Sequence, residues 1–177
     1  MTPTPSEWTG SSGSSPRRVA DRTAAAARYH DVPIGRPQLR SLAEEAAAIA
    51  RTPVAAINLI TATSQRTLAS VGTEVTVLAR PDSMCGAIVN GFRPVHVEDA
   101  ACDERWASNP FVDGRWGNVR YYGAHPLISN EGFPIGSLCV LDDRPRTLAA
   151  WQIVALENLA RRIVHQLDEE RLISLRG

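Results

Sequence analysis

The hydrophobic pattern of the chain switches between helical and extended periods from residue 37 onward. In Pro37–Ala50, apolar residues recur every three or four positions and charged residues fill the other side, which predicts an amphipathic helix. The almost unbroken apolar run Val54–Ile60 predicts a central strand that is buried on both faces. The more polar segment 66–71 ends at Gly72 and predicts a hairpin partner for that strand.

The middle of the chain predicts short elements and a long loop. Asp82 or Ser83 can cap a short helix that runs to Asn90, and residues 94–97 form the pattern of a short strand. Residues 100–118 are loop-rich and contain two tryptophans. Long irregular connections of this kind often border a pocket.

The last third of the chain predicts two strands and a long helix. Segments 119–128 and 133–141 are strand-like and are joined by a turn that contains Gly132, so we expect at least five strands, largely antiparallel. Residues 147–175 form a helix with two apolar stripes. Two stripes need two partners, which are either the sheet and the first helix or the sheet and a second subunit.

The N-terminal residues lack this periodicity. Residues 2–16 are almost entirely Thr, Pro, Ser and Gly, and such a segment buries too little apolar area to offset its ordering entropy. Residues 17–28 are rich in Ala and Arg and favour a short helix. We therefore predict a disordered or weakly helical tail over residues 1–35 and one folded domain over residues 36–177.

Composition narrows the classes of partner. Among 177 residues, 19 basic side chains balance 19 acidic ones, so net charge favours neither nucleic acid nor an anionic membrane as a partner. No apolar run reaches the roughly 20 residues of a membrane-spanning helix, and no secretory signal is evident, so we expect a cytoplasmic protein. Cys85, Cys102 and Cys139 lack the paired spacings of zinc sites, which favours reduced thiols and no metal site.

Five sequence blocks carry a family resemblance. They are SMCGAI at 83–88, PVHVED at 94–99, NPFV at 109–112, VRYY at 119–122 and, above all, IGSLCVLDDRPR at 135–146. In this order they closely resemble the GAF domains that precede histidine kinases and diguanylate cyclases in bacteria, and the resemblance covers residues 37–172. It implies an α+β fold with a central antiparallel sheet of five to six strands. It also implies N- and C-terminal helices on one face of the sheet and a small-molecule pocket on the other.

The chain departs from its relatives in two respects. His125 stands where they commonly have an apolar or small residue, and Gly123-Ala124 reverse the usual order, so we expect different pocket chemistry. Relatives also continue into a catalytic or DNA-binding domain, whereas this sequence ends at Gly177. The expectation is therefore that any output passes in trans to another protein.

Candidate pocket residues come from the short helix, the loop and the strand that follows it. Alternation places Arg120 and Tyr122 on one face of that strand and Tyr121 and His125 on the other. An Arg beside a Tyr suits an anionic aromatic ligand such as a nucleotide, although a surface ion pair explains the same residues. The candidates are Met84, Cys85, Asp99, Trp106, Phe111, Arg120, Tyr121, Tyr122 and His125.

Two cysteines raise an enzymatic alternative. Cys85 is either a thiol activated by a helix N-terminus or a small core residue. Cys85-Gly86 and Ala101-Cys102-Asp103 resemble motifs of free methionine-(R)-sulfoxide reductases, which are also single GAF domains. That resemblance implies a thiol reductase using Cys85 and Cys102.

The leading hypothesis is a non-enzymatic sensory module of signal transduction. It binds an unidentified small molecule or a partner helix on one sheet face, and occupancy shifts the terminal helices of a homodimer. The other alternative is a GAF scaffold without a pocket that only dimerises or docks a signalling partner. The sequence identifies no cofactor.

Overall fold

The computed structural model describes residues 16–176; Gly177 and residues 1–15 lie outside the described residues, and so does nearly all of the segment 2–16 for which disorder is predicted. The α-helices of the described part are α1 (Pro16–Ala27), α2 (Pro37–Ala50), α3 (Met84–Ile88) and α4 (Ala150–Ser174). Its strands are β1 (Val54–Ile60), β2 (Ser64–Val71), β3 (Val77–Ala79), β4 (Val95–Val97), β5 (Tyr121–Ile128) and β6 (Pro134–Asp142). Two 3₁₀ turns, Arg80–Asp82 and Ala100–Cys102, precede α3 and follow β4.

The strands form one antiparallel sheet in the order β3-β2-β1-β6-β5-β4. The α+β class and the predicted hairpin of β1 with β2 are both confirmed. The sequence did not predict β3, which is three residues long, lies at the sheet edge and leaves Val77 62% exposed. A strand this short and exposed carries no periodic signal.

Side chains alternate across β1 and separate two cores. Ala55, Ile57 and Leu59 join the core beneath α1, α2 and α4. Ala56 and Ile60 join a second core beneath α3 and the long loop. The sheet thus has one face covered by the long helices and an opposite face that is free to form a pocket, as the family resemblance implies.

Residues 16–35 differ from the predicted tail because α1 is packed onto the domain. Arg22 is buried, and its guanidinium donates to the carbonyls of Ile60 at 2.8 Å and Thr61 at 3.1 Å. Tyr29 is also buried, and its hydroxyl donates to Asp168 on α4 at 2.6 Å. These long-range contacts join α1 to the end of β1 and to α4, so the packed unit begins before residue 36.

One side of α4 is buried against the sheet and α2. Leu156, Leu159 and Ile163 are almost fully enclosed, whereas Trp151 is 60% exposed and Val154 is 55% exposed. The predicted double stripe therefore meets the sheet and α2 along most of its length and leaves Trp151 and Val154 exposed near the start of the helix. Among residues 16–176, no helix combines the length and the apolar character needed to cross a membrane.

Candidate functional site

A cavity of about 260 Å³ lies on the sheet face that is opposite the long helices. Its floor is formed by β1, β2, β5 and β6, and α3 and the loop around 111–119 close its sides. A water molecule occupies about 30 Å³ of liquid, so the cavity exceeds the space of a few waters and suits a small ligand.

Asn58 is the central polar residue of the cavity floor. It is 1% exposed in an otherwise apolar strand. Its Oδ1 accepts a hydrogen bond from Thr67 Oγ1 at 2.9 Å. Its Nδ2 donates to Cys139 Sγ at 3.3 Å and to Cys85 Sγ at 3.8 Å. One side chain therefore connects β1, β2, β6 and α3.

The backbone at Asn58 is held close to β6 by a glycine. Gly136 faces Leu59 in the antiparallel ladder, and a Cβ on Gly136 would lie 1.9 Å from the Asn58 carbonyl oxygen. A larger residue would push the two strands apart. Gly136 thus preserves the strand spacing at Asn58.

Cys85 is held at the cavity wall by the start of α3. Ser83 caps this helix by accepting a hydrogen bond from Gly86 N at 2.8 Å, and its hydroxyl donates to Gln65 on β2. Tyr122 OH donates to Cys85 Sγ at 3.1 Å. The Cys85 thiol is thus positioned from α3 and β5 together.

The two buried thiols of the cavity are not equivalent. A hydrogen bond from Cys139 is the main cause that lowers the pKa of Cys85, and donation from Tyr122 and Asn58 adds to this effect against the opposing effect of burial. The same contact, together with burial, raises the pKa of Cys139 well above its usual range. Cys85 is therefore the member of the pair that ionises first.

The charges that line the cavity do not favour the binding of an anion. Glu74 is the charged residue among its described lining residues. Arg120 lies outside the lining, and its Nη1 donates to the carbonyls of Val112 at 3.1 Å and Val119 at 3.0 Å. Arg120, which the sequence suggests as a contact for a nucleotide-like ligand, thus forms hydrogen bonds with the loop instead.

Four of the sequence candidates line the cavity: Met84, Cys85, Phe111 and Tyr122. Trp106 packs behind Tyr122, with ring centroids 5.7 Å apart. Asp99 lies away from the cavity, where its carboxylate caps a 3₁₀ turn through Ala101 N at 3.1 Å.

Tyr121 and His125 share one face of β5, as the alternation predicts, but that face is the helix side of the sheet and not the cavity side. Tyr121 OH is 2.8 Å from His96 Nδ1, and the His125 ring meets the His96 ring edge-on with centroids 5.1 Å apart. Burial, and secondarily the charge of His96, lower the pKa of His125 to about 3. Neither Tyr121 nor His125 lines the cavity.

The structure does not bring Cys85 and Cys102 together. Cys102 is exposed, and its thiol lies 3.5 Å from Asp99 Oδ2, a contact that raises its pKa. The cysteine that accompanies Cys85 in the cavity is Cys139. Within the described range, no group of three or more His, Cys, Asp or Glu side chains is arranged to hold a metal ion.

Sequence reasoning missed Asn58 and the role of Cys139. A usable signal was present for Asn58, because it is the single polar residue in a strand predicted to be buried on both faces. Buried amides need partners, and these partners often belong to a site. Cys139 gave no comparable signal, since free cysteine is common in cores.

Comparisons with known proteins agree with this architecture. The GAF domain family model matches residues 36–167. A cyclic di-GMP phosphodiesterase of Pseudomonas aeruginosa is 35% identical over 122 residues, which cover 68% of this chain and 21% of that protein. The chain thus spans about a fifth of the length of this curated relative.

Solved structures show the same fold at low sequence identity. The GAF domain of an Acinetobacter phosphoenolpyruvate-protein phosphotransferase gives a TM-score of 0.63 at 15% identity, covering 88% of this chain and 96% of that one. A type II free methionine-R-sulfoxide reductase of Thermoplasma acidophilum gives 0.62 at 14% identity, covering 84% and 96%. The chain belongs to the GAF domain family, whose members are sensory and regulatory modules.

Proposed function

We propose that this GAF domain is a sensory module of cytoplasmic signal transduction that binds a small molecule in the cavity above Asn58. The observation that carries the proposal is the convergence of Asn58, Thr67, Cys85 and Tyr122 on one cavity. Apolar pockets with a few oriented polar groups are the usual form of small-molecule sites. Similarity to a cyclic di-GMP phosphodiesterase supports a place in signalling.

The sheet provides a physical route from the cavity to the helices. β5 carries Tyr122 on the cavity side and contacts α4 on the other side. A ligand that displaces the Tyr122 hydroxyl moves a strand on which α4 packs. We propose that α4 transmits this shift to a second copy or to a partner protein through Trp151 and Val154, which are exposed near the start of the helix.

The cavity favours this function over a scaffold that only dimerises. A scaffold needs no cavity, whereas an apolar cavity lined by a few oriented polar groups is the usual form of a small-molecule site. A reductase that uses Cys85 and Cys102 receives no support from the geometry, because Cys102 does not line the cavity.

A thermal-shift screen with a metabolite library tests the proposal. Ala56→Leu adds three carbon atoms at a residue that lines the cavity, and Val77→Leu adds one carbon atom at an exposed position outside it. We expect a ligand to raise the melting temperature of the wild type and of Val77→Leu, but not of Ala56→Leu. Equal shifts in all three proteins would overturn the assignment of the cavity as the ligand site.

A further inference from the structure

Three sulfur-containing side chains line the cavity together. Met84, Cys85 and Cys139 are each at most 4% exposed and all line the same cavity. The Cys85 and Cys139 sulfurs both accept a hydrogen bond from the single nitrogen Asn58 Nδ2, at 3.8 Å and 3.3 Å. The two thiols therefore sit side by side at the cavity wall.

The surroundings of Cys85 favour negative charge on its sulfur and a cation beside it. Tyr122 OH and Asn58 Nδ2 both point hydrogen-bond donors at Cys85 Sγ, at 3.1 Å and 3.8 Å. Among the described residues that line the cavity, none is Lys, Arg or His, and Glu74 contributes a carboxylate. Such a cavity attracts a cation and disfavours phosphate or carboxylate ligands.

We propose that Cys85 and Cys139 bind a soft monovalent metal ion, Cu(I), in this cavity, with the Met84 thioether as a neighbouring soft donor. The proposal rests on the proposed function, because it names the class of ligand sensed at the same site. Thiolate and thioether sulfur select Cu(I) over harder ions. Metal–thiolate bonds are about 2.3 Å for zinc, so two sulfurs held beside the same Asn58 Nδ2 can share one ion after a small rotamer adjustment.

The number of donors also selects the metal. Structural zinc takes four protein ligands from Cys, His, Asp or Glu. The part of the chain that the structure describes has no group of even three such side chains in position for a metal. Cu(I) is satisfied by two or three sulfur ligands, so the pair with Met84 is sufficient.

The binding step involves no change in oxidation state. Two S–H bonds break, two Cu–S bonds form, and two protons leave to solvent, which gives a bis-thiolate complex with a charge of minus one. Metal binding to thiols releases protons in this way. Tyr122 OH and Asn58 Nδ2 stabilise the remaining negative charge by donating hydrogen bonds to sulfur.

Anaerobic titration of the full chain with Cu(I), supplied as its acetonitrile complex against the chromophoric chelator bicinchoninate, tests the proposal. We expect one ion per chain in the wild type and in Cys102→Ser, whose thiol is exposed and outside the cavity. Cys85→Ser and Cys139→Ser should each bind about 100-fold more weakly. Binding of Cu(I) by either of these two variants as tightly as by the wild type, or loss of binding in Cys102→Ser, would overturn the proposal.

A second measurement needs no variant and therefore does not depend on folding of the serine proteins. X-ray absorption of the Cu(I)-loaded wild type should show two or three sulfur scatterers and no nitrogen or oxygen ligand. Nitrogen or oxygen ligation would overturn the proposal. The double variant Cys85→Ser/Cys139→Ser separates the metal proposal from the proposed sensory function. If an organic ligand stabilises this variant as well as it stabilises the wild type, the metal proposal is overturned and the sensory function is retained.

Discussion

Tyr121 and Tyr122 are consecutive residues of β5 whose hydroxyls lie on opposite faces of the sheet. Tyr122 OH donates to Cys85 Sγ in the cavity at 3.1 Å, whereas Tyr121 OH lies 2.8 Å from His96 Nδ1 beneath the helices. Both residues are at most 1% exposed. A displacement of β5 therefore changes the packing of the cavity and of the helix-side core at the same time.

Asn58→Ala is expected to destabilise the fold measurably. The variant leaves the Thr67 hydroxyl without its acceptor and removes the donor shared by two thiols. An unpartnered buried polar group costs about 1–3 kcal/mol. Urea denaturation should therefore show a lower free energy of unfolding than for Asn90→Ala, which removes an exposed amide at a cost within about 0.5 kcal/mol. Equal stability of the two variants would show that Asn58 does not organise the cavity floor.

His125 is expected to make the protein sensitive to acid. Burial, followed by the charge of His96, lowers its folded-state pKa from 6.5 to about 3. The unfolded state then binds the extra proton first, so the stabilising effect of neutral His125 is complete above pH 6.5 and is lost as the pH falls toward 3. Burial also lowers the pKa of His96, which acts in the same direction.

Denaturation curves as a function of pH test this expectation. His125→Ala should flatten the decline in the free energy of unfolding below pH 6.5, and His165→Ala, an exposed position on α4, should leave the decline unchanged. The prediction fails if His125→Ala and the wild type lose stability in parallel.

Arg22 is expected to tie α1 to the domain. Its guanidinium donates to Ile60 O and Thr61 O, and burial lowers its pKa to about 10, which still leaves it protonated at neutral pH. Hydrogen bonds from charged groups contribute about 1.5–3 kcal/mol, so Arg22→Ala should lower the free energy of unfolding by about that amount. Arg17→Ala is the control, because Arg17 lies on the exposed side of α1. Similar stability of both variants would show that α1 contributes little to the packed unit.

The three cysteines are expected to react at two distinct rates. Cys102 is exposed, whereas Cys85 and Cys139 are buried. With a disulfide reagent such as dithionitrobenzoate, the native chain should show one fast thiol and the urea-unfolded chain three. The fast phase should disappear in Cys102→Ser. A fast phase of two thiols in the native wild type would contradict the burial of the cavity pair.

The elements with strong local patterns were predictable from the sequence. The predicted bounds of α2 and β1 match the structure because an amphipathic period and an unbroken apolar run are properties of neighbouring residues. The packing of α1 was not predictable in this way. It depends on Arg22 meeting carbonyls 38 and 39 positions away in the sequence.

The site was less predictable than the fold for the same reason. Alternation along β5 placed Tyr121 and His125 on one face, but it could not say that the opposite face holds the cavity. The contact of Asn58 with Cys139 joins residues 81 positions apart, and no local pattern reports such a pairing. Arg120 was a candidate ligand contact because of its residue type alone, yet its guanidinium donates hydrogen bonds to loop carbonyls.

Native mass spectrometry of the gently purified chain tests most directly whether the cavity above Asn58 is a ligand site. The account predicts excess mass on the wild type and on Val77→Leu, and its loss in Ala56→Leu, whose added bulk occupies the cavity. Because the excess mass belongs to the bound species, the same spectrum distinguishes a copper ion from an organic molecule. Excess mass retained by Ala56→Leu at the wild-type level would contradict the account.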